Sequence, residues 1–381
     1  MRVERLGLED FRNYDRVDVA FEAGLNLIVG RNAQGKTNLL EAIYCLTGFA
    51  SPRAIDAVLV RTDQERAIVH GEVTRGGRPT RIDLELRPGR GRRALVNRAA
   101  LPKGHSLGEV LAAVFFGPDE LALIKGSPGE RRRFLDELVV KLKPAREGLR
   151  KEWERVLRQR NALLRAAPGR RGGPVDDSLD VWDEAFVNAG AALTQARLDA
   201  LRLLAPYAAE RYGSIAGAGS VELAYASSWL ADDPVPAATE QPAEDIARRL
   251  ADALASIRPR ELERGQSLVG PQRDDVSVVL TTSEGGHVEA RTHASQGDQR
   301  TAALALKLAE HDVLTAALGE QPVLLLDDVF SELDPTRRAW LAKTVSEMDQ
   351  ALVTTTAAED LDLSDVRAVF EVVAGEVSRH G

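Results

Sequence analysis

Residues 30–37 read Gly-Arg-Asn-Ala-Gln-Gly-Lys-Thr and match the phosphate-loop pattern G-x-x-x-x-G-K-[ST] at every fixed position. An apolar run over residues 25–29 precedes the segment, and apolar residues on one face predict a helix over residues 36–46 after it. In this arrangement glycines let backbone N–H groups surround phosphate oxygens, and the helix N-terminus adds partial positive charge. The pattern predicts a nucleotide site made by Gly30, Arg31, Asn32, Ala33, Gln34, Gly35, Lys36, Thr37 and Asn38.

Two side chains of this segment carry defined chemistry. A lysine at the position of Lys36 reaches the β and γ phosphates, and a hydroxyl at the position of Thr37 ligates Mg²⁺. Lys36 is therefore predicted to act in catalysis as well as in binding, and Thr37 is predicted to be a metal ligand. The alternative interpretation is a glycine-rich turn with a lysine on the surface.

A second candidate site lies at residues 322–328, which read Pro-Val-Leu-Leu-Leu-Asp-Asp. Continuous apolar residues are typical of a strand buried on both faces. In proteins with a phosphate loop, the acid at the end of such a strand holds Mg²⁺, so Asp327 is predicted to be a metal ligand. Asp328 would then orient or deprotonate the attacking water. Because the Asp side chain is one methylene shorter than that of Glu, slow hydrolysis is expected. Alone, the segment also fits a strand that meets a turn.

Composition argues against several other classes of protein. The chain has 381 residues, a formal charge of −8 (50 − 58), one cysteine and six histidines without H-x-x-x-H or H-x-H spacing. An internal disulfide is therefore impossible, and a zinc site is disfavoured. The longest apolar run, residues 110–116, is too short to span a bilayer, so no membrane partner is expected. These features predict an intracellular protein located in the cytoplasm.

The elements that must position these residues follow an α/β pattern at both ends of the chain and a helical pattern between them. Ser127, Pro128 and Glu130 predict a capped helix start, and loops are predicted over residues 166–178 and 232–242. The simplest architecture is a sheet-containing lobe I (residues 1–115 and 305–381) and a mainly helical lobe II (residues 116–304). Strands are predicted over residues 3–8, 17–21, 25–29, 67–73, 81–86, 276–281, 323–326 and 352–355, and further helices over about 145–165, 180–213, 243–256, 301–318 and 336–348.

A third element, residues 295–300, reads Ser-Gln-Gly-Asp-Gln-Arg and precedes a predicted helix. Alone it fits an ordinary helix cap, although a helix N-terminus also attracts anions. After the acidic strand comes Ser-Glu-Leu-Asp at residues 331–334. In this order the segments resemble the motifs of an ABC-type ATPase head: Walker A, an S-x-G-x-Q signature, Walker B and an S-x-L-D loop. The resemblance is to the chromosome-maintenance branch, with no long coiled coil, because no sustained heptad run is found.

Four further segments narrow the resemblance to the RecF family of bacterial recombination mediators. They are residues 8–14 (Leu-Glu-Asp-Phe-Arg-Asn-Tyr), residues 126–136, residues 270–275 and residues 326–334, and the resemblance extends over nearly the whole chain. The resemblance implies ATP and Mg²⁺ as ligands and an ATP-dependent, head-to-tail homodimer. Ser295, Gly297 and Gln299 would act on nucleotide held by the other copy, and Asp334 would lie in the loop between the copies. Arg12 would lie near the nucleotide; the alternative is a surface cation in a turn.

The same resemblance implies a function in DNA repair, replication and recombination. Members of the family act as weak, DNA-stimulated ATPases that bind duplex DNA and single-strand/duplex junctions. They work with RecR and RecO to load RecA at gaps and stalled forks, in the cytoplasm at the nucleoid and within the SOS response. This chain departs from the family pattern at Gln272, where a histidine is usual. It offers no glutamine between residues 65 and 158 for a Q-loop, and residues 354–356 are threonines where a switch histidine is expected.

Two basic stretches, residues 87–103 and 141–171, are candidate DNA-binding segments in this acidic chain. Contacts to phosphates would be largely independent of base sequence. The alternative is solvated surface charge, with Asp136 as a partner for part of it. Three alternative functions remain. A chromosome-organising protein would need long coiled-coil arms, and a transporter ATPase would place its signature motif much closer to Walker A in the sequence. A nuclease with an ABC head would need an added nuclease domain. The residues predicted to contact DNA are Arg92, Arg93, Arg131, Arg132 and Arg133.

Overall fold

Apolar segments from both ends of the chain form one six-stranded sheet. Its strands have the order β16-β15-β3-β14-β13-β8, and all neighbours are parallel except β15 and β16. β13 and β14 are buried along their whole length, as expected for inner strands of a parallel sheet. The strands are β3 (Gly24–Val29), β8 (Ala113–Phe116), β13 (Val323–Asp327), β14 (Gln350–Thr355), β15 (Val366–Val373) and β16 (Glu376–His380).

A second, antiparallel sheet has the strand order β2-β1-β4-β5-β6-β7. Helix α1 (Lys36–Cys45) shares with both sheets one apolar core, which includes Leu39, Ile43, Val69 and Leu325. The remaining strands and helices of this part of the chain are β1 (Arg2–Phe11), β2 (Tyr14–Ala20), α2 (Asp56–Leu59), β4 (Ala67–Arg75), β5 (Arg78–Arg87), β6 (Gly91–Val96), β7 (Ala99–Ala100) and α9 (Pro335–Ser346).

The middle of the chain contributes helices and a small sheet. The four strands have the order β10-β9-β11-β12 and are antiparallel. The elements are α3 (Ala122–Lys125), α4 (Pro128–Leu142), α5 (Glu147–Ala166), α6 (Pro174–Ala216), β9 (Ser220–Ala226), β10 (Val235–Pro236), α7 (Ala243–Arg264), β11 (Asp275–Thr281), β12 (His287–Glu289) and α8 (Gln296–Leu318).

The structure is a computed structural model and describes residues 1–102, 105–166, 174–281, 285–356 and 365–380, without the side chains of residues 174–177. The chain divides into two compact units, Met1–Leu121 with Ala303–Gly381, and Ala122–Ala302. The sequence placed these boundaries at 115/116 and 304/305. Within the described ranges, no helix is long and apolar enough to cross a membrane.

Most predicted elements are present, but several bounds differ. Each predicted strand and helix has a counterpart. The elements that were not predicted are α2, α3, β6, β7, β8, β9, β10, β12, β15 and β16. The helix predicted to end at residue 256 runs through Pro259 to Arg264, because Glu261 and Leu262 are buried and hold the last turn in place. Ser127 is the residue before α4, as predicted, yet its side chain forms no capping hydrogen bond. Of the predicted loop over residues 166–178, residues 167–173 lie outside the described residues, and the prediction is wrong for residues 174–178, which begin α6.

Candidate nucleotide-binding site

The phosphate loop joins β3 to α1 and packs against the turn between β1 and β2. At Gly35, φ is +116°, and a Cβ built there would lie 2.6 Å from Nδ2 of Asn13 and 2.9 Å from the Tyr14 hydroxyl. The Tyr14 hydroxyl donates to the Gly35 carbonyl (2.9 Å), and Asn13 Nδ2 donates to the Gln34 carbonyl (2.9 Å). Any side chain at position 35 would therefore disturb both the backbone and this packing.

Lys36 is held over the backbone of its own loop. Its Nζ donates to the carbonyl oxygens of Gly30 (2.7 Å) and Arg31 (3.0 Å), and the residue is buried. Burial lowers the pKa of Lys36, and the carboxylates of Asp328 and Asp327 oppose that effect. Two neutral carbonyl groups thus position the ammonium group at the phosphate loop, where a phosphate would form a stronger, charge-assisted hydrogen bond with it.

Oxygen atoms of three side chains meet where β13 and β14 end. Thr37 Oγ1 donates to Asp327 Oδ1 (2.7 Å), and Thr354 Oγ1 donates to the same oxygen (2.8 Å). Mg²⁺ prefers hard oxygen ligands, uses one or two carboxylates and takes its other ligands from water and phosphate. The Thr37 hydroxyl and the Asp327 carboxylate fit that donor set. Over the described part of the chain, no group of three or more His, Cys, Asp or Glu residues could hold a metal by itself.

Asp328 lies next to these groups in an unusual conformation. Its φ is +49°, and its backbone N–H donates to Thr354 Oγ1 (2.9 Å). Its Oδ1 is buried and, among the described residues, has no hydrogen-bond partner. Burial raises the pKa of Asp328, and the Lys36 cation opposes the rise. A carboxylate with an uncommitted oxygen can orient water or accept its proton, so the geometry is compatible with the role predicted from the sequence.

A cavity of about 330 Å³ brings most of these residues together. Arg53 is part of it and was not predicted, since a lone arginine in a segment of mixed composition gives no sequence signal. Its Nη1 lies 3.4 Å from Asp327 Oδ2, and its Nε donates to Asp119 Oδ2 (3.0 Å). The cavity is lined by Asn32, Ala33, Gly35, Lys36, Thr37, Asn38, Arg53, Pro118, Asp327 and Asp328.

Arg12 does not line this cavity, and its place beside the nucleotide stays a prediction. Its guanidinium pairs with Glu41 through Nη2 (2.9 Å to Oε1) and Nε (3.1 Å to Oε2). The same Glu41 accepts a hydrogen bond from Ser51 Oγ (2.6 Å). Ser51 Oγ in turn accepts from the backbone N–H of Arg53 (3.1 Å). Arg12 therefore fixes, through Glu41, the segment that carries Arg53.

The signature residues belong to the other unit of the chain. Ser295 Oγ accepts from the Asp298 backbone N–H (3.2 Å) and donates to the Asp298 carboxylate (2.7 Å), so it forms a helix cap at the start of α8. Gln299 is buried and donates to the carbonyl groups of Ala290 and Arg291. The Gly297 carbonyl accepts from Thr301 Oγ1 (2.9 Å). Gln299 thus has a structural role within this chain, whereas Ser295 remains exposed.

Among the five arginines predicted to contact DNA, two are already engaged inside the fold. Arg131 is buried and pairs with both carboxylate oxygens of Asp275 (2.7 and 2.8 Å). Arg92 pairs in the same way with Asp56 (2.8 and 2.6 Å). A guanidinium committed to a carboxylate in this way is not free to bind a phosphate, so these two assignments are corrected.

The other three predicted arginines keep more exposure. Arg93 is exposed. Arg133 is also exposed, and its Nη2 lies 3.0 Å from Glu130 Oε2. Arg132 is half-buried and donates to the Asp274 carbonyl (2.6 Å). Asp136, considered as a partner for this cluster, pairs with Arg197 instead (2.7 Å). Contacts to DNA by these three residues remain a prediction.

Comparisons with known proteins agree with the motif order. The family model described as "RecF/RecN/SMC N terminal domain" matches residues 2–378. The chain is 44% identical to the DNA replication and repair protein RecF of Streptomyces avermitilis and 43% identical to that of Beutenbergia cavernae, in each case over 100% of both chains.

Solved structures give the same result for the fold. A structure of the recombination mediator protein RecF with ATP, in the RecFOR pathway, has a TM-score of 0.88 and 29% identity, covering 100% of this chain and 97% of that chain. An Smc head domain of Pyrococcus yayanosii shares the fold at a TM-score of 0.57 and 12% identity, covering 100% and 96%. The predicted α/β fold of an ABC-type ATPase head is confirmed. The chain belongs to the RecF/RecN/SMC N-terminal domain family and, within it, to the RecF proteins of DNA replication and repair.

Proposed function

We propose that this chain binds ATP together with Mg²⁺ and acts as a slow ATPase switch in DNA repair. The observation that carries the proposal is the convergence of Lys36, Thr37, Asp327 and Asp328 on one cavity at the phosphate loop. A relative of 29% identity is described with ATP, which supports the choice of nucleotide. In this chain the nucleotide's phosphates would replace the carbonyl partners of Lys36, and Thr37 and Asp327 would hold the metal.

Hydrolysis requires little of the protein beyond positioning and charge. Mg²⁺ would neutralise charge on the phosphate oxygens when bound. Lys36 would bind the terminal phosphates, and Asp328 would orient the attacking water and take up its proton. Asp328 is held by its short side chain close to β13, so we expect the water to be activated weakly and turnover to be slow.

The second part of the proposal is an ATP-dependent homodimer. Ser295 and Gly297, at the exposed start of α8, would cover the nucleotide bound at Lys36 of another copy. Support comes from the anion affinity of a helix N-terminus and from the small side chains there. Ser295 would exchange its bond with Asp298 for a phosphate oxygen. Gln299 would support this loop from within by its bonds to Ala290 and Arg291.

The dimer is tested by molar mass from light scattering after gel filtration, with and without ATP and Mg²⁺. We expect the mass to double only with ATP and Mg²⁺, and both Lys36→Met and Ser295→Arg to abolish doubling. Ser256→Ala serves as a control, since its exposed hydroxyl donates to the Ala253 carbonyl within α7. A wild-type protein that binds ATP and stays monomeric at micromolar concentration would contradict the role of Ser295.

We further propose that the ATP-bound dimer binds duplex DNA and single-strand/duplex junctions, and works with RecR and RecO to promote RecA loading. The name of the RecFOR pathway, attached to the similar structure, supports these partners. Arg93 and Arg133 are the exposed candidates for phosphate contacts. Each Arg→Ala change should lower the slope of log affinity against log salt concentration by about 1 unit or less. The exposed, carboxylate-paired Arg202→Ala is the matched control, and unchanged slopes for Arg93→Ala and Arg133→Ala would remove both residues from the DNA contact.

A further inference from the structure

Arg53 places a positive charge on the carboxylate that is the metal ligand of the proposed function. Asp327 Oδ1 is satisfied by the hydroxyl groups of Thr37 and Thr354. Its Oδ2 lies 3.4 Å from Arg53 Nη1, with which it forms a salt bridge, and the Lys36 ammonium also acts on Asp327 electrostatically. The Asp327 side chain is only 4% exposed. A buried carboxylate without a cation is costly, so Arg53 compensates its charge.

Hydrogen bonds fix the backbone position of Arg53. Ser51 Oγ accepts hydrogen bonds from the backbone N–H groups of Arg53 and Ala54 (3.1 Å each) and donates to Glu41 (2.6 Å). Glu41 is buried and is fixed by its pair with Arg12. This chain of contacts ties the backbone of Arg53 to α1 and to the β1–β2 turn, on the wall of the cavity.

Arg53 also has a second carboxylate. Its Nε donates to Asp119 Oδ2 (3.0 Å), and the Asp119 side chain is exposed. The guanidinium therefore bridges a buried and an exposed carboxylate. A divalent ion that takes Asp327 would repel the guanidinium, while Asp119 would still hold it.

We propose that Arg53 is a placeholder cation: it neutralises Asp327 while no metal is bound, and Mg²⁺ binding displaces its guanidinium onto Asp119. The proposal rests on the nucleotide and metal site proposed above, and it adds a residue that sets how much Mg²⁺ the site requires. Displacement would link metal entry to a change at residues 51–54, because the guanidinium loses one of its two anchors.

The test measures how the binding of fluorescent mant-ADP depends on the MgCl₂ concentration. ADP is used because it lacks the terminal phosphate and is not hydrolysed during the measurement. Wild type is compared with Arg53→Ala, Arg53→Gln, Arg53→Lys and Asp119→Asn. Arg61→Ala is the matched control: its side chain is 38% exposed, against 37% for Arg53, and it pairs with Asp15 instead. Circular dichroism and thermal unfolding check that each variant is folded.

Replacing Arg53 and replacing Asp119 should shift the half-saturating Mg²⁺ concentration in opposite directions. Without the competing cation, Arg53→Ala and Arg53→Gln should lower the half-saturating Mg²⁺ concentration by roughly 3- to 10-fold, as for loss of a partly exposed ion pair. Asp119→Asn should raise it by about 2-fold or more, because the guanidinium loses its alternative anchor. Arg53→Lys and Arg61→Ala should stay close to wild type.

An unchanged or higher Mg²⁺ requirement in Arg53→Ala and Arg53→Gln would overturn the placeholder role and leave the nucleotide site intact. Shifts in one direction for Arg53→Ala and Asp119→Asn alike would also overturn it, since both changes would then simply disturb the loop. Absence of Mg²⁺-dependent mant-ADP binding in wild type would instead overturn the proposed function itself, and the placeholder role with it.

Discussion

Thr354 links the two acidic residues at the end of β13. Its hydroxyl donates to Asp327 Oδ1 (2.8 Å) and accepts from the Asp328 backbone N–H (2.9 Å), and the residue is fully buried. The hydroxyl of Thr354 is therefore used within the protein. It holds the left-handed turn at Asp328 and orients the proposed metal ligand.

Replacing Thr354 by Val should therefore destabilise the protein more than its small size change implies. The substitution keeps the shape but leaves a buried N–H and a buried carboxylate oxygen short of a partner, at a cost of about 1–3 kcal/mol. The free energy of unfolding from urea titration measures it. Thr344→Val is the control, because Thr344 Oγ1 donates only to the Trp340 carbonyl of its own helix (2.9 Å). An equal loss of unfolding free energy in Thr354→Val and Thr344→Val would contradict the linking role of Thr354.

At this scale, sequence patterns identified residues whose chemistry is local. Lys36, Thr37 and Asp327 could be predicted because a fixed spacing and a strand–loop–helix context determine where they lie. Arg53 and Thr354 could not, since their importance depends on which strands and loops become neighbours. Gln299 shows that a residue at a motif position can instead have a structural role. Its hydrogen bonds to the carbonyl groups of Ala290 and Arg291 reveal this role, which the sequence pattern does not.

Among the elements, α4, α6, β9 and the segment that precedes β11 share a buried polar network. Asp274 accepts hydrogen bonds from the Tyr225 hydroxyl (2.8 Å) and from Trp229 Nε1 (2.9 Å). Arg197 pairs with Asp136 (2.7 Å) and donates to the Pro271 carbonyl (2.8 Å). The Gly-Pro-Gln-Arg-Asp-Asp segment at residues 270–275 is thus part of the interior of the second unit. Such networks stabilise only when each member is satisfied.

Stability of this network should depend on pH through Asp274. Burial raises the pKa of Asp274 to about 6, although Tyr225, Ser227, Arg197 and Trp229 all act to lower it. Because the folded state binds this proton more tightly than the unfolded state, the resulting stability is present below about pH 4 and is lost as pH rises through about 6. The free energy of unfolding of wild type, relative to Asp274→Asn, should fall by about 1–3 kcal/mol between pH 4 and 7.

The measurement is urea unfolding of both proteins, followed by tryptophan fluorescence at each pH. Asp252→Asn is the control, since Asp252 is exposed on α7. Its difference from wild type should be independent of pH. A wild-type advantage over Asp274→Asn that grows as pH rises would show that the network favours the ionised carboxylate.

Elements were predictable where one pattern dominated. Apolar runs indicated β3, β13 and β14, because inner parallel strands are buried on both faces. The C-terminal strands β15 and β16 were missed, since half of their residues face solvent and their pairing is set by contacts distant in sequence. Their turn also reaches the phosphate loop, where the Ala374 N–H donates to Gln34 Oε1 (2.7 Å). The helix predicted over residues 243–256 continues past Pro259 to Arg264, because tertiary packing outweighs the local cost of proline.

At the scale of the whole molecule, the first unit depends on both ends of the chain. Strand β3 near the N-terminus pairs with β14 and β15 near the C-terminus. Cys45, the single cysteine of the chain, lies at the end of α1 in the core of this unit and is fully buried. Burial raises the pKa of the Cys45 thiol to about 12, which suppresses its reactive thiolate form. Labelling of Cys45 therefore requires the first unit to open.

Nucleotide binding should slow that labelling. A ligand at about 100 times its dissociation constant stabilises the folded state by about 2.7 kcal/mol, which corresponds to an approximately 100-fold lower population of the unfolded state. With Mg²⁺ and ADP at that excess, the rate of Cys45 modification by a thiol reagent in mild urea should fall by a similar factor. Lys36→Met, which lacks the phosphate-binding cation, should show little protection under the same conditions. A wild-type rate that ADP leaves unchanged would mean that Cys45 is exposed by a local opening of α1 that the nucleotide does not oppose, and that the site and the core of the first unit are not coupled.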